Sequence, residues 1–200
     1  EVVYFEAGEA LLDNPAREVF VNAFGLERYE VSFRQYQLCV ESRACSRLNE
    51  TEEYTLIENG DEDWPVAQVS AYQAFDFCQW IGRRLPTAVE WERAARGVEG
   101  RTYPWEGDVI TPGYAVIPMD RFRYVPDSPV TVNDSHYELG MTPEGIMHMF
   151  GNVSEWTSTS TDCSDPYLCN QEWDGVTPTT LLTKGFNWLF PLEALTPQPM

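Results

Sequence analysis

RLPTAVEWERAARG, residues 84–97, is the stretch of this sequence that specifies its central helix. Thr87 followed three residues later by Glu90 is a capping box, in which the threonine oxygen accepts from the third helical amide and the glutamate reaches back to the cap. Trp91 and the two alanines after it recur at helical spacing, and Gly97 predicts the C-terminal end. The small alanine side chains would let this helix approach a neighbouring element closely.

Two further capping boxes precede this helix in the chain. Ser32 with Gln35 predicts a short helix, and Ser70 with Gln73 predicts a second one that ends at Gly82. The helix that begins after Ser70 carries apolar residues at helical spacing along one face. Together with the helix of residues 84–97, it makes a pair of central helices.

The rest of the chain favours short strands and structured loops. Residues 1–30 alternate apolar and polar side chains between turn signals, which is typical of short strands. Beyond Arg101 the chain is rich in glycine, proline, aspartate and aromatic residues, and no helical period is sustained. The pattern predicts one α+β domain with two central helices and short antiparallel strands. We find no repeat or linker that would divide it.

The charge of the chain limits the partners that it can have. Among 200 residues, 32 are acidic and 13 are basic, Lys184 is the single lysine, and the net charge is -19. Such a charge repels a phosphate backbone or an anionic lipid surface, so we expect no nucleic-acid partner. No apolar run is long enough to span a bilayer, so we expect no membrane insertion. The acidic excess is interpreted as solubility, or in part as carboxylates that hold a hard cation.

The five cysteines indicate an oxidising compartment. Cys39 and Cys45 flank one short loop, Cys163 and Cys169 flank another, and Cys78 lies alone in an apolar stretch. Two local disulfides and one buried thiol are the economical interpretation, which places the protein outside the cytoplasm. The alternative is a metal site, but neither pair has the spacing of a typical zinc motif, and the two histidines lie far from every cysteine.

Four blocks of this sequence resemble the signatures of formylglycine-generating enzymes and their relatives, in the family's order. The blocks are RLPTAVEWERAARG with YPW at 103–105, YEVS at 29–32, WPVAQVS at 64–70 and GIMHMFGNVSEWT at 145–157. The resemblance covers residues 1–190 and implies the irregular C-type-lectin-like fold of that family. Residues 191–200 are expected to form an exposed C-terminal tail.

The resemblance also implies a calcium site in the GNVSE segment. By matching position, Asn152 and Glu155 would supply side-chain oxygens, and main-chain carbonyls around Gly151 and Val153 would complete the shell. Oxygen donors on a tight turn suit Ca²⁺. The alternative is that Asn152 and Glu155 only tie loops together by hydrogen bonds. A second calcium site of the family is in doubt, because Val116 stands where that site has an asparagine.

The catalytic residues that the resemblance would imply are absent from this chain. Catalytic members carry a copper-binding cysteine pair shortly after a segment that matches Lys184 and Gly185, but no cysteine follows Lys184 here. We therefore expect a non-catalytic secreted, periplasmic or cell-surface module that binds a protein partner or builds a surface assembly. The alternatives are a copper-dependent oxidase whose catalytic cysteines lie beyond Met200, and a regulatory domain attached to a kinase. His148, where the family has aspartate, is interpreted as a packing residue.

Overall fold

Three small antiparallel sheets account for all the strands in the described part of the molecule. The computed structural model describes residues 1–12, 16–48, 62–108, 110–118, 128–167, 173–176 and 179–188. The strands are β1 (Val2–Phe5), β2 (Gly8–Leu12), β3 (Arg17–Val21), β4 (Phe24–Glu27), β5 (Glu155–Ser160) and β6 (Leu181–Lys184). They pair as β1 with β4, β2 with β3, and β5 with β6. The predicted short antiparallel strands of the N-terminal segment are thus confirmed.

The three predicted capping boxes are all formed. They open α1 (Phe33–Glu41), α2 (Ala71–Trp80) and α3 (Ala88–Arg96), and a 3₁₀-helix covers Ser135–Gly140. At α3, the Glu90 amide donates to Thr87 Oγ1 at 3.2 Å and the Thr87 amide donates to Glu90 Oε2 at 2.8 Å. No described helix combines the length and apolar character that crossing a bilayer requires.

Helix α3 lies at the centre of the domain. Trp91, Ala94 and Ala95 have no exposed surface, and α3 contacts strands of all three sheets. Phe5 from β1 and Leu12 from β2 belong to the same core cluster. Because the alanine side chains are small, strands can approach the helix closely, as the sequence predicts. α2 is more peripheral, since Phe77 is its one buried residue.

A second apolar cluster joins α1 to α2 and contains the Cys39–Cys45 disulfide. The two sulfur atoms are bonded and both cysteines are buried. Tyr36 and Phe77 stack across the two helices at 6.0 Å between ring centroids. This disulfide was predicted from the sequence and is confirmed. Cys163 is also disulfide-bonded, whereas Cys169 and the predicted tail at residues 191–200 lie outside the described residues.

Candidate functional site

The GNVSE turn is held by backbone contacts that only a few residue types permit. Gly151 has φ +96°, and a Cβ atom there would lie 2.9 Å from both the nitrogen and the oxygen of Val116. Asn152 has φ +61°, a region that asparagine tolerates better than most residues. The backbone N–H of Asn152 donates to the Val116 carbonyl at 3.1 Å. The turn is therefore fixed against Val116, the residue that stands where the family's second calcium site has an asparagine.

The side chain of Asn152 bridges three parts of the domain. It is fully buried, and its Nδ2 donates to Glu30 Oε2 at 2.6 Å and to the Val130 carbonyl at 3.2 Å. Its Oδ1 accepts from the Val130 amide at 2.9 Å. Both polar atoms of the side chain are thus engaged within the protein. This arrangement agrees with the alternative interpretation of the sequence, in which Asn152 holds loops together by hydrogen bonds.

Glu30 and Glu155 form a pair of carboxylates deep in the domain. Glu30 Oε1 also accepts from the Val153 amide at 3.3 Å, and Glu155 Oε2 accepts from Trp91 Nε1 at 3.1 Å. Burial, and then the charge of Glu155, raise the pKa of Glu30 well above its ordinary value. Burial raises the pKa of Glu155 to about 7. Neither Glu30 nor Glu155 forms an ion pair with a described residue. No described cation therefore offsets the charge of these two side chains.

Both carboxylates line a cavity of about 430 Å³. Its walls come from β1, β4, α2, the segment around Val66 and the start of β5, and most of the side chains are apolar. Glu155 is partly accessible although it lies deep in the domain, because it opens onto this cavity. A volume of this size is typical of small-ligand sites.

The oxygen atoms around the GNVSE turn provide only part of the ligand set that a hard cation requires. Glu155 has one carboxylate oxygen without a described hydrogen-bond partner, and the carbonyl groups of Gly151 and Val153 belong to the same turn. Asn152 Oδ1, in contrast, already accepts from Val130. No cluster of three histidine, cysteine, aspartate or glutamate side chains occurs among the described residues. A calcium ion at the turn would thus depend on main-chain oxygens, which Ca²⁺ accepts readily, and the assignment stays a prediction.

Glu30 is the site residue that sequence reasoning missed. The YEVS block at 29–32 is part of the resemblance, but the sequence assigns no role to its acid. The signal in the sequence is that Glu30 lies between the aromatic Tyr29 and the apolar Val31. An acid that is buried in such a setting needs a hydrogen-bond partner. Its partners, Asn152 and Val153, lie more than a hundred residues away in the chain.

The described cysteines do not form a reactive pair. Cys39 and Cys45 are bonded to each other, Cys163 is disulfide-bonded, and Cys78 is the free cysteine of the described residues. Burial raises the pKa of the Cys78 thiol to about 11. Since a thiolate is the species that binds metal or attacks a substrate, Cys78 at neutral pH is a packing residue.

His148 is a buried neutral side chain. It is 5% exposed, its Nε2 has no hydrogen-bond partner among the described residues, and its ring centroid lies 6.0 Å from that of Tyr137. Burial lowers its pKa from 6.5 to about 4, against a smaller opposing effect of the Asp134 carboxylate. The sequence interpretation of His148 as a packing residue agrees with this position.

His148 should make the domain sensitive to acid. Because the native pKa lies below the unfolded value of 6.5, its contribution is complete above pH 6.5 and is lost as the pH falls towards 4. Between pH 8 and pH 5 the wild-type protein should lose about 2 kcal/mol more stability than His148→Asn. Urea unfolding at both pH values measures this difference. Asparagine keeps the positive φ of 58° at this position, and equal pH dependence of the two proteins would refute the assignment.

The fold and the carboxylate turn place the molecule among domains of the formylglycine-generating-enzyme type. The chain belongs to the family described as "Sulfatase-modifying factor enzyme 1-like domain", whose family model matches residues 1–198. It is 42% identical over 102 residues to a formylglycine-generating enzyme of Mycobacterium tuberculosis, a match that covers 48% of this chain and 33% of the relative. It is 34% identical over 113 residues to "Inactive C-alpha-formylglycine-generating enzyme 2" of Bos taurus, covering 52% and 35%. The chain thus spans about a third of the length of these curated relatives.

Two solved structures share the fold. CarF superposes with a TM-score of 0.67 at 18% identity, covering 96% of this chain and 88% of CarF. Treponema denticola variable protein 1 superposes with a TM-score of 0.68 at 16% identity, covering 94% and 84%. These similarities support a mixed fold of helices and small antiparallel sheets, whereas its description as C-type-lectin-like stays a prediction.

Proposed function

We propose that this domain is a non-catalytic module, stabilised by calcium, that binds a protein partner or builds a surface assembly. The observation that carries the proposal is the state of the described cysteines. Three of them are disulfide-bonded and the thiol of Cys78 is held protonated by burial. A Cu(I) site of the kind expected for catalytic members needs a pair of thiolates, and the described residues supply none. The relatives named as inactive are consistent with such a role.

Calcium would act structurally at the GNVSE turn. Glu155 would supply a carboxylate oxygen, Gly151 and Val153 would supply carbonyl oxygens, and Asn152 would hold Glu30 beside them. Bound there, Ca²⁺ would stabilise the ionised forms of carboxyl groups that no described cation pairs with. A buried charge without a counter-charge is costly, so ion binding would stabilise the native state.

The proposed setting is an oxidising one. Cys39 and Cys45 close a local disulfide, which persists in secreted, periplasmic or cell-surface proteins and is rare in the cytosol. The net charge of -19 argues against a nucleic-acid partner and leaves proteins as the favoured class. The candidate segments for partner binding are residues 50–63, 114–137 and 187–190, of which residues 50–61, 119–127 and 189–190 lie outside the described residues.

Calcium should raise the thermal stability of the protein through Glu155. At a free concentration ten times the Kd, one site adds about 1.4 kcal/mol, or about 4 °C in Tm for a domain of this size. Differential scanning calorimetry with Ca²⁺, and with Mg²⁺ at equal ionic strength, measures the shift. Glu155→Gln should abolish it, whereas the exposed Glu99→Gln should retain it. An unchanged wild-type Tm at millimolar Ca²⁺ would exclude the calcium site.

The second candidate is a copper-dependent formylglycine-generating oxidase. It is favoured by the relatives named as formylglycine-generating enzymes, whose matched portions amount to about a third of their length. Residues of the natural protein outside the present sequence would then have to supply the cysteine pair. The two candidates differ in whether the natural protein converts a cysteine to an aldehyde.

A further inference from the structure

Strands β2 and β3 form a hairpin with one face turned to the core and one face turned to solvent. Ala10, Leu12 and Val21 of the inner face are buried in the core cluster. Side chains alternate along a strand, so the residues between them point the other way. The outer face of the hairpin consists of Glu9, Leu11, Glu18 and Phe20, and all four are exposed. No described element covers this face.

The outer face carries two large apolar side chains. Leu11 is 39% exposed and Phe20 is 60% exposed. Phe20 lies opposite Glu9, and Leu11 lies opposite Glu18. The two apolar residues are therefore diagonal neighbours across the strand pair, within reach of each other. Val98, 45% exposed, follows at the edge of β2, where its carbonyl accepts from the Leu11 backbone N–H at 2.9 Å.

Packing within the hairpin does not account for these residues. Facing pairs that stabilise a strand pair join two apolar side chains or two opposite charges. Each facing pair on the outer face instead sets an apolar side chain against a carboxylate. The apolar surface and the carboxylates are thus both available to a second molecule.

The charges on the outer face are all negative. Neither Glu9 nor Glu18 forms an ion pair with a described residue. Arg17 is the single basic residue of the hairpin. It lies opposite Leu12 on the inner face and pairs with Asp165. The outer face therefore presents apolar side chains beside carboxylates and has no basic residue of its own.

We propose that the outer face of the β2–β3 hairpin docks a protein partner whose surface presents an apolar patch flanked by lysine or arginine. The apolar part of the partner covers Leu11 and Phe20, and its cations pair with Glu9 and Glu18. Protein interfaces commonly combine an apolar centre with a polar rim, and complementary charge selects the partner. A second copy of this chain does not fit, because it would bring the same carboxylates face to face.

The inference rests on the partner binding of the proposed function and assigns a surface and a partner chemistry to it. It is independent of the calcium site, since the GNVSE turn contributes no residue to the outer face. Nothing local in the sequence distinguishes the outer face from an ordinary solvated strand face. The distinction comes from the register, which sets each apolar residue against a carboxylate.

Three matched peptides test the chemistry of the partner on the whole domain. Acetyl-Lys-Leu-Phe-Leu-Lys-amide has an apolar centre between cations, acetyl-Glu-Leu-Phe-Leu-Glu-amide reverses the charges, and acetyl-Lys-Ser-Ser-Ser-Lys-amide removes the apolar centre. Two-dimensional NMR of the isotope-labelled domain measures the affinity and the location of each peptide. The first peptide should bind at least about ten-fold more tightly than either of the others. Its shift changes should concentrate at residues 8–12 and 17–21.

A double variant tests the apolar part of the surface. Leu11→Ser combined with Phe20→Ser should weaken the first peptide at least about ten-fold, because exposed apolar anchors contribute much of the binding energy. The matched control combines Leu38→Ser with Leu139→Ser, which removes two exposed leucines from other parts of the molecule. The control should bind the first peptide as the wild type does, and circular dichroism checks that both variants are folded.

A second double variant tests the charges. Glu9→Gln combined with Glu18→Gln should remove the preference for the lysine peptide over its glutamate counterpart. Glu41→Gln combined with Glu138→Gln changes the net charge equally at two other exposed positions and should retain the preference. This control separates pairing at the outer face from the general attraction of an acidic protein for a basic peptide.

Three results would overturn the proposal. They are equal affinities of the three peptides, shift changes that lie away from the hairpin, and equal losses in the hairpin variants and their controls. A dimer in sedimentation that Leu11→Ser with Phe20→Ser dissociates would also overturn it, because the outer face would then join two copies. Failure of the peptides together with a calcium-dependent Tm would remove this docking surface and leave the calcium-stabilised module in place. Peptide binding at the hairpin without any calcium effect would do the reverse.

Discussion

Replacing Glu92 with alanine should destabilise the domain by about 4 kcal/mol, the largest effect that we expect from a single charged residue. Glu92 lies on α3 and has no exposed surface. Its Oε1 accepts from Arg96 at 2.7 Å, and its Oε2 accepts from Lys184 at 3.0 Å and from the Tyr167 hydroxyl at 2.6 Å. One carboxylate thus offsets two cations inside the domain.

The reason for the size of this effect is the charge left behind. Without Glu92, the buried Arg96 and the only lysine, Lys184, keep their positive charges in a poorly hydrated environment. Lys184 belongs to β6, so the same change also weakens the connection between α3 and the β5–β6 sheet. Removing one partner of a buried pair costs far more than an exposed pair contributes.

Urea unfolding monitored by circular dichroism measures the loss. The matched control is Glu99→Ala, a change of the same residue type at an exposed position, which should alter stability by less than about 0.5 kcal/mol. Lys184→Met should cost less than Glu92→Ala, because Arg96 and Tyr167 remain to satisfy the carboxylate. A loss below about 1 kcal/mol for Glu92→Ala would mean that water or another group solvates these cations.

Asn152→Ala should destabilise the domain by about 3 kcal/mol, because it leaves several buried polar groups unsatisfied. The Glu30 carboxylate would lose its shortest hydrogen bond, and both the amide and the carbonyl of Val130 would lose a partner. Alanine also fits poorly at φ +61°, whereas asparagine tolerates this conformation.

Two comparisons separate these causes. Asn152→Gly removes the same side-chain bonds but accepts a positive φ, so it should be about 1 kcal/mol more stable than Asn152→Ala. Asn133→Ala, at an exposed turn position, serves as the control and should have little effect. If Asn152→Ala were as stable as the wild type, the bridge from the turn to Glu30 would not exist as described.

Local signals predicted most of the helices and part of the sheet structure. The capping boxes at Ser32, Ser70 and Thr87 are short sequence patterns whose hydrogen bonds form within one helical turn, and all three are present. Strands β1 to β4 follow the alternation of residues 1–30, and β2 pairs with its chain neighbour β3, whereas β1 pairs with β4, from Val2 with Glu27 to Phe5 with Phe24. The Cys39–Cys45 disulfide closes a separation of 6 residues. Except for the pairing of β1 with β4, the interacting groups lie close together in the chain, so the sequence alone carries the information.

The candidate site was less predictable because it is assembled from distant segments. Glu30 meets Asn152 across 122 positions, and Trp91 meets Glu155 across 64. The GNVSE block identified the turn, but nothing local indicated that the Asn152 amide faces Glu30 and Val130. Nor could spacing reveal a cavity whose walls come from several separate elements. The buried partners of Glu92 were hidden for the same reason.

The proposal that this domain is a non-catalytic module is tested most directly on the full-length natural protein isolated from its source. The protein is incubated with copper, oxygen, a thiol reductant and a cysteine-containing peptide, and an aldehyde-reactive probe with mass spectrometry detects the product. We predict no conversion of the peptide above a copper-free control, alongside a calcium-dependent Tm. Copper-dependent formation of the aldehyde would contradict the account and would establish a catalytic cysteine pair outside the residues described.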